Sequence, residues 1–99
     1  MQTAQTDPED APVFLVSLGT AARLENLKLA AELRHLGRRV ALEVEDKSMK
    51  AQMRSANRAG AVTVVIRGED ELARGVAVVK DMAGGEQEEV PLAELINKL

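Results

Sequence analysis

The sequence predicts an α/β fold that begins as a parallel sheet with helical crossovers, and three observations carry that reading. Two short apolar runs, residues 13–17 (VFLVS) and 62–67 (VTVVIR), suit strands buried on both faces. Residues 39–44 (RVALEV) supply a strand between them. The intervening segments follow helical periodicity, and a β-α-β-α-β succession calls for right-handed crossovers that lay the strands parallel.

Each element has a local reason. After the first strand, Leu18-Gly19-Thr20 reads as a turn, with Thr20 as the expected N-cap of a helix starting near Ala21. Leu24, Leu27, Leu29, Ala30, Ala31, Leu33 and Leu36 make a wide apolar arc on this helix, while Glu25, Lys28, Glu32 and His35 share the other sector. Gly37 supplies its stop. Ser48 is positioned to cap a second helix, in which Met49, Met53 and Ala56 form the expected buried stripe, and Gly60 ends it. Residues 69–74 allow only a short helical turn before Gly75. That link is too short for a full crossover, so the fourth strand, residues 76–81 (VAVVKD), is expected to run antiparallel. Ala83-Gly84-Gly85 marks a tight turn into a fifth strand, residues 86–90, and Pro91 suits the first turn of a closing helix, residues 92–99.

Composition bounds the chemistry. A chain of 99 residues, 45% hydrophobic and 29% charged, fits one soluble domain with one modest core. Phe14 is the sole aromatic, so the core is aliphatic and base stacking on aromatic platforms is nearly excluded. With no cysteine and one histidine, disulfides, thiolate catalysis, thiolate zinc sites and His-rich metal sites are ruled out. No apolar stretch approaches the roughly 20 residues that span a bilayer, and no secretory signal opens the chain, so a cytoplasmic location is expected. Residues 1–12 (MQTAQTDPEDAP) read as a disordered acidic linker or tail, with the folded domain over 13–99. The net charge of −3 therefore misleads: without Asp7, Glu9 and Asp10, 13 acidic residues face 13 basic ones.

The cations are not spread evenly. Lys47, Lys50, Arg54 and Arg58 fall within about 80° of one another on a helical wheel, and no acid occurs between Lys47 and Arg67. Such a stripe beside a helix N-terminus suits several phosphates, and equally describes a solvated helix face. At the carboxyl ends of the parallel strands, where open sheets bind ligands, Glu45, Asp46, Glu69 and Glu71 join the start of this helix. Carboxylates and amides there suit exocyclic amines of bases, or serve only as helix caps. The single glycine in SLGTAARLEN falls short of a dinucleotide fingerprint, and residues 68–75 lack the Gly-Lys-Ser/Thr ending of a phosphate loop. No arrangement of nucleophile, base and orienting group is present, so no catalytic residue, metal or cofactor is expected.

Several motifs, in order, carry a family resemblance over most of residues 13–99. They are Leu18-Gly19; Leu29, Ala30, Leu33 and Arg34 before a glycine; Ser48-Met49-Lys50 with Gln52; Ala56-Asn57 with Gly60-Ala61; Gly68-Glu69 with Glu71 and Gly75; and Val79-Lys80-Asp81-Met82 followed by Gly85-Glu86-Gln87. The chain resembles the C-terminal anticodon-binding domain of histidyl-tRNA synthetase, within the class IIa synthetase family. The resemblance implies a three-layer α/β/α fold with a five-stranded mixed sheet in the order 2-1-3-4-5, strand 4 antiparallel. In related threonyl-, prolyl- and glycyl-tRNA synthetase domains, a Glu after strand 3 and a basic residue on strand 4 help read the anticodon. Those roles would fall on Glu71 and Lys80, and the Lys80-Asp81 pair with Gly85-Glu86-Gln87 favours the histidyl branch.

The implied function is binding of the anticodon stem-loop of tRNA-His. Lys47, Lys50, Arg54 and Arg58 would neutralise phosphate, and Glu45, Gln52, Glu71 and Lys80 would contact base or sugar. The synthetase catalytic motifs are absent, so the implied partners are tRNA and the catalytic domain of a parent ligase, a homodimer. A free-standing protein-interaction or regulatory domain, using the edge near residues 86–90 or an aliphatic surface, is the alternative.

Overall fold

The computed structural model describes residues 11–43 and 45–99. The expected tail falls outside these apart from Ala11 and Pro12, and Val44, the expected end of the second strand, does too. The elements run β1 (Val13–Leu18), α1 (Thr20–His35), β2 (Val40–Leu42), α2 (Met49–Arg58), β3 (Thr63–Gly68), α3 (Glu69–Arg74), β4 (Val76–Asp81), β5 (Gln87–Pro91) and α4 (Leu92–Lys98). The sheet order is β2-β1-β3-β4-β5. β1 is parallel to β2 and β3, whereas β4 is antiparallel to β3 and β5, as expected.

Two aliphatic cores, one per sheet face, make the three layers. Val13, Leu15, Val65, Ala77 and Val90 meet Leu29, Ala30 and Leu33 of α1 and Leu95 of α4. Phe14, Val16, Val64 and Ile66 point the other way and meet Ala56 and Met53 of α2. Strand alternation divides these sets, so a one-residue slip in β1 or β3 would exchange the two cores. Leu15 and Leu33 are fully buried, and truncating either to Ala should cost about 2–5 kcal/mol.

Local details differ from the sequence expectations. Gly19, not Thr20, is the N-cap of α1; its φ of 107° is a glycine conformation, and no side chain caps that end. α1 buries Ala22, Asn26, Leu29, Ala30 and Leu33, a narrower stripe than the apolar arc implies. Leu24, Leu27 and Leu36 lie 40–59% exposed, because a helix lying on a sheet buries only the stripe facing it. Met49 is likewise exposed, before α2 reaches the sheet. Ser48 does cap α2, its hydroxyl accepting from the Ala51 N–H at 3.1 Å. Gly75, at φ 70°, ends α3 in the left-handed region. Pro91 closes β5 as the N-cap of α4 rather than lying inside the helix.

Candidate nucleic-acid interface

The orientation of α2 is set by one buried amide. β2 ends at Leu42, opposite Leu15, and among the described residues Ser17, two residues further along β1, has no β2 partner. Gln52 serves its backbone: its Oε1 accepts from the Ser17 N–H at 2.9 Å and its Nε2 donates to the Ser17 carbonyl at 2.7 Å. The same Nε2 donates to the Lys47 carbonyl at 2.8 Å, tying the turn before the helix to the sheet. Gln52 is 1% exposed, with its amide fully engaged. It therefore serves as a structural anchor, with both amide hydrogens engaged. Its wheel position between Met49, Met53 and Ala56 was the available signal, since an amide on an apolar face needs a buried partner.

With Gln52 and Ala56 facing inward, Lys50, Arg54 and Arg58 must face outward. All three are exposed, and they span about 12 Å of helix. Among the described residues, none of them has a carboxylate within 4.0 Å. Lys47 differs, with Glu45 at 3.9 Å. Sequence reading missed Arg38 and Arg39, also exposed, which precede β2. Because α2 runs back against the parallel strands, they share the amino end of the sheet with Arg58. The double arginine after Gly37 was the visible signal.

The opposite, carboxyl end is a rim of turns in which charges are mostly engaged. The Glu71 carboxylate accepts from the Gly68 N–H at 2.8 Å, capping α3 in its own first turn. A Cβ at Gly68 would lie 3.1 Å from that carboxylate and 3.3 Å from the Leu18 Cβ, so glycine lets the cap close. Arg74 binds Asp70 at 3.1 Å and grips both oxygens of Glu89 on β5 at 3.0 and 2.8 Å. The hydrogen bond from Arg74 holds the Glu89 carboxyl below its ordinary range, and the same pairing raises the Arg74 guanidinium. Glu45 and Asp46 are exposed, Asp46 lying 3.8 Å from Arg23.

Lys80 is half-buried on the α2 side of β4, in register with Val64. Gly68 lies four residues further along β3, about 13 Å away, and Glu71 is beyond it. The two residues to which the resemblance assigns anticodon reading are thus at opposite ends of the sheet.

One functional-looking group went unnoticed in the sequence. Arg67, on β3, is only 4% exposed, with its Nε donating to Asn26 Oδ1 at 2.8 Å. Asn26 in turn donates to Ser17 Oγ at 2.9 Å and to the Val16 carbonyl at 3.2 Å. Burial pushes the Arg67 guanidinium down, partly offset by Glu25. A charged residue closing an otherwise apolar strand run was its sequence signal.

Residues 12–99 match the family described as anticodon binding domain. The chain belongs to this family. As an anticodon binding domain it is 42% identical over 92 residues to a histidine–tRNA ligase of Rhodococcus erythropolis, a match covering 93% of this chain and 22% of the relative. A histidine–tRNA ligase of Symbiobacterium thermophilum is 46% identical over 87 residues, covering 88% and 20%. The chain thus spans about a fifth of the length of these curated relatives. The apo S. aureus histidyl-tRNA synthetase superposes with a TM-score of 0.84 at 32% identity, over 91% of this chain and 23% of that one. The RNA binding domain of a Cryptosporidium parvum threonyl-tRNA synthetase reaches 0.78 at 17% identity, over 92% and 22%, a likeness of fold alone. On this anticodon binding domain, Lys50, Arg54 and Arg58 lie along α2 with Lys47 just before its N-cap, while Glu71 and Lys80 are kept apart.

Proposed function

We propose that this domain binds the anticodon stem-loop of tRNA-His as the C-terminal module of a histidyl-tRNA synthetase. The observation that carries the reading is the row of outward cations on α2, Lys50, Arg54 and Arg58, without carboxylate partners among the described residues of an anticodon binding domain. Together with Lys47 they neutralise phosphates, which fixes the register of the RNA without reading its bases. Base or sugar contacts then come from two separate places: Glu45 and the outer edge of Glu71 at the carboxyl rim, and Lys80 on the open face of β4. Their separation means they read different nucleotides of the loop. In this reading aminoacylation belongs to the rest of a parent ligase, a cytoplasmic homodimer, and this domain contributes tRNA binding alone.

The test is titration of labelled tRNA-His anticodon stem-loop at two salt concentrations, beside a stem-loop with an unrelated anticodon. Tighter binding of the former, with affinity falling steeply as salt rises, is expected. Equal affinity for both would sink anticodon reading while leaving phosphate binding intact.

A second reading rests on a different surface. Leu24, Leu27, Leu36 and Leu92 are exposed on the α1–α4 side, where they offer docking area to the catalytic part of the parent. The β5 edge is less suited to pairing, because Gln87, Glu88 and Glu89 are exposed and Pro91 ends it. Light scattering of the isolated domain with the catalytic fragment reads this out directly, with a complex indifferent to RNA as the expected result.

A further inference from the structure

Arg67 has more hydrogen-bonding capacity than its surroundings use. A guanidinium carries five N–H donors, and among the described residues only Nε–H has a partner, Asn26. Among the described residues no carboxylate lies within 4.0 Å of its terminal nitrogens. Arg67 lines a cavity of about 340 Å³ between α1 and α4, walled by Leu29, Leu92, Leu95 and Ile96, with Glu25, Lys28 and Glu32 around it. Among the described residues no side-chain nitrogen sealed from solvent lacks a partner, so the free terminal nitrogens keep contact with water, which a bound carboxylate replaces with a paired charge. The Asn26 bond also fixes the fork's plane, leaving its outer edge for a flat, bidentate acceptor.

We propose that the α1–α4 cavity over Arg67 is a binding site for a carboxylate carried on a short aliphatic chain. The carboxylate pairs with the terminal nitrogens of Arg67, and the aliphatic part lies against Leu92, Leu95 and Ile96. A phosphate fits less well. It brings more negative charge toward Glu25 and Glu32, and the other cation at the cavity, Lys28, is engaged with Glu25 at 3.3 Å. The cavity lies at the small end of ligand pockets, which suits a side-chain-sized group. That chemistry belongs to a free aliphatic acid and to a Glu side chain presented by an apolar segment. The site lies across the sheet from α2, so it stands independently of the RNA reading.

The test follows the Arg67 Nε–H signal and the Leu95 and Ile96 methyl signals of the labelled chain by NMR. The probes are butyrate, butan-1-ol, inorganic phosphate, and the peptide acetyl-Leu-Glu-Leu-Leu-amide with its Gln counterpart. Butyrate and the Glu peptide should shift these signals saturably, while butan-1-ol and the Gln peptide should fail to move the Arg67 signal. The Glu25→Gln variant, which relieves repulsion without touching the core, should bind butyrate about threefold tighter. Arg67→Lys, if it folds, should lose most of the response because an ammonium lacks the fork. A Glu peptide about tenfold tighter than butyrate supports a protein segment as the source, and the reverse supports a free acid. Equal responses to butyrate and butan-1-ol, a stronger response to phosphate, or no saturable shift in either the wild type or Glu25→Gln would each overturn the site.

Discussion

Helices α2 and α3 both present charge to water, and they treat it in opposite ways. On α3, Arg74 engages Asp70 on its own helix and Glu89 on β5, and Glu71 caps the helix through the Gly68 N–H. On α2, Lys50, Arg54 and Arg58 have no such partners among the described residues, and the helix is held by the neutral Gln52 amide instead. The lesson is a division of labour. Charge on α3 is committed to local structure, while α2 is fastened through Gln52 and the Ser55 hydroxyl on the Glu43 carboxylate at 2.6 Å, using none of its cations, so these are available to a ligand.

Several experiments would break or sharpen that contrast. The largest effect is expected on binding: reversing Lys50, Arg54 and Arg58 to Glu should weaken stem-loop binding on the order of 100-fold. The thermal midpoint should hardly move, since no native ion pair is lost; a large fall would show that these charges are structural. Next comes Gln52→Leu, which leaves the Ser17 N–H and carbonyl without partners. A fall in unfolding free energy of about 2–4 kcal/mol in urea is expected. A loss below about 1 kcal/mol would show that the amide is not what holds α2.

Single changes probe the same contrast more finely. Arg54→Ala should reduce the slope of log affinity against log salt by about 0.7, the share of one single-strand phosphate contact. Arg74→Ala should leave that slope unchanged and lower the melting temperature only slightly, because its ion pairs are exposed. The smallest effect is on acid stability. The folded Glu89 pKa is depressed, so its stabilisation is complete above the ordinary glutamate value of about 4.3 and is lost as pH falls through the lower folded value. Glu89→Gln should flatten the stability profile in that acidic window alone, as read by urea melts across pH. A changed slope with pH near neutrality, beyond the small constant loss from removing the exposed pair, would contradict the assignment.

How much was legible in the sequence varied with the range of the interaction. The antiparallel β4 and the Ser48 cap were legible because connection length and capping chemistry act over a few residues, and the strand order followed from the family resemblance. The width of α1's buried stripe was not, since Leu24, Leu27 and Leu36 look like core until the sheet's position is known. Gln52 and Glu71 show the same limit at the candidate site. Both have the right chemistry for contacting bases, and the sequence alone does not show that one also serves the Ser17 backbone and the other also caps a helix.

By itself, then, the sequence determined the layered fold, the family and the cationic face of α2, because each follows from local spacing and residue type. Tertiary structure alone decided which polar groups are spent and which are open. It paired the Ser17 backbone with Gln52; it set Lys80 and Glu71 at opposite ends of the sheet; and it buried most of Arg67 while leaving its terminal nitrogens without a protein partner among the described residues. Those outcomes depend on where distant segments meet, and hydrogen-bond satisfaction is settled only there.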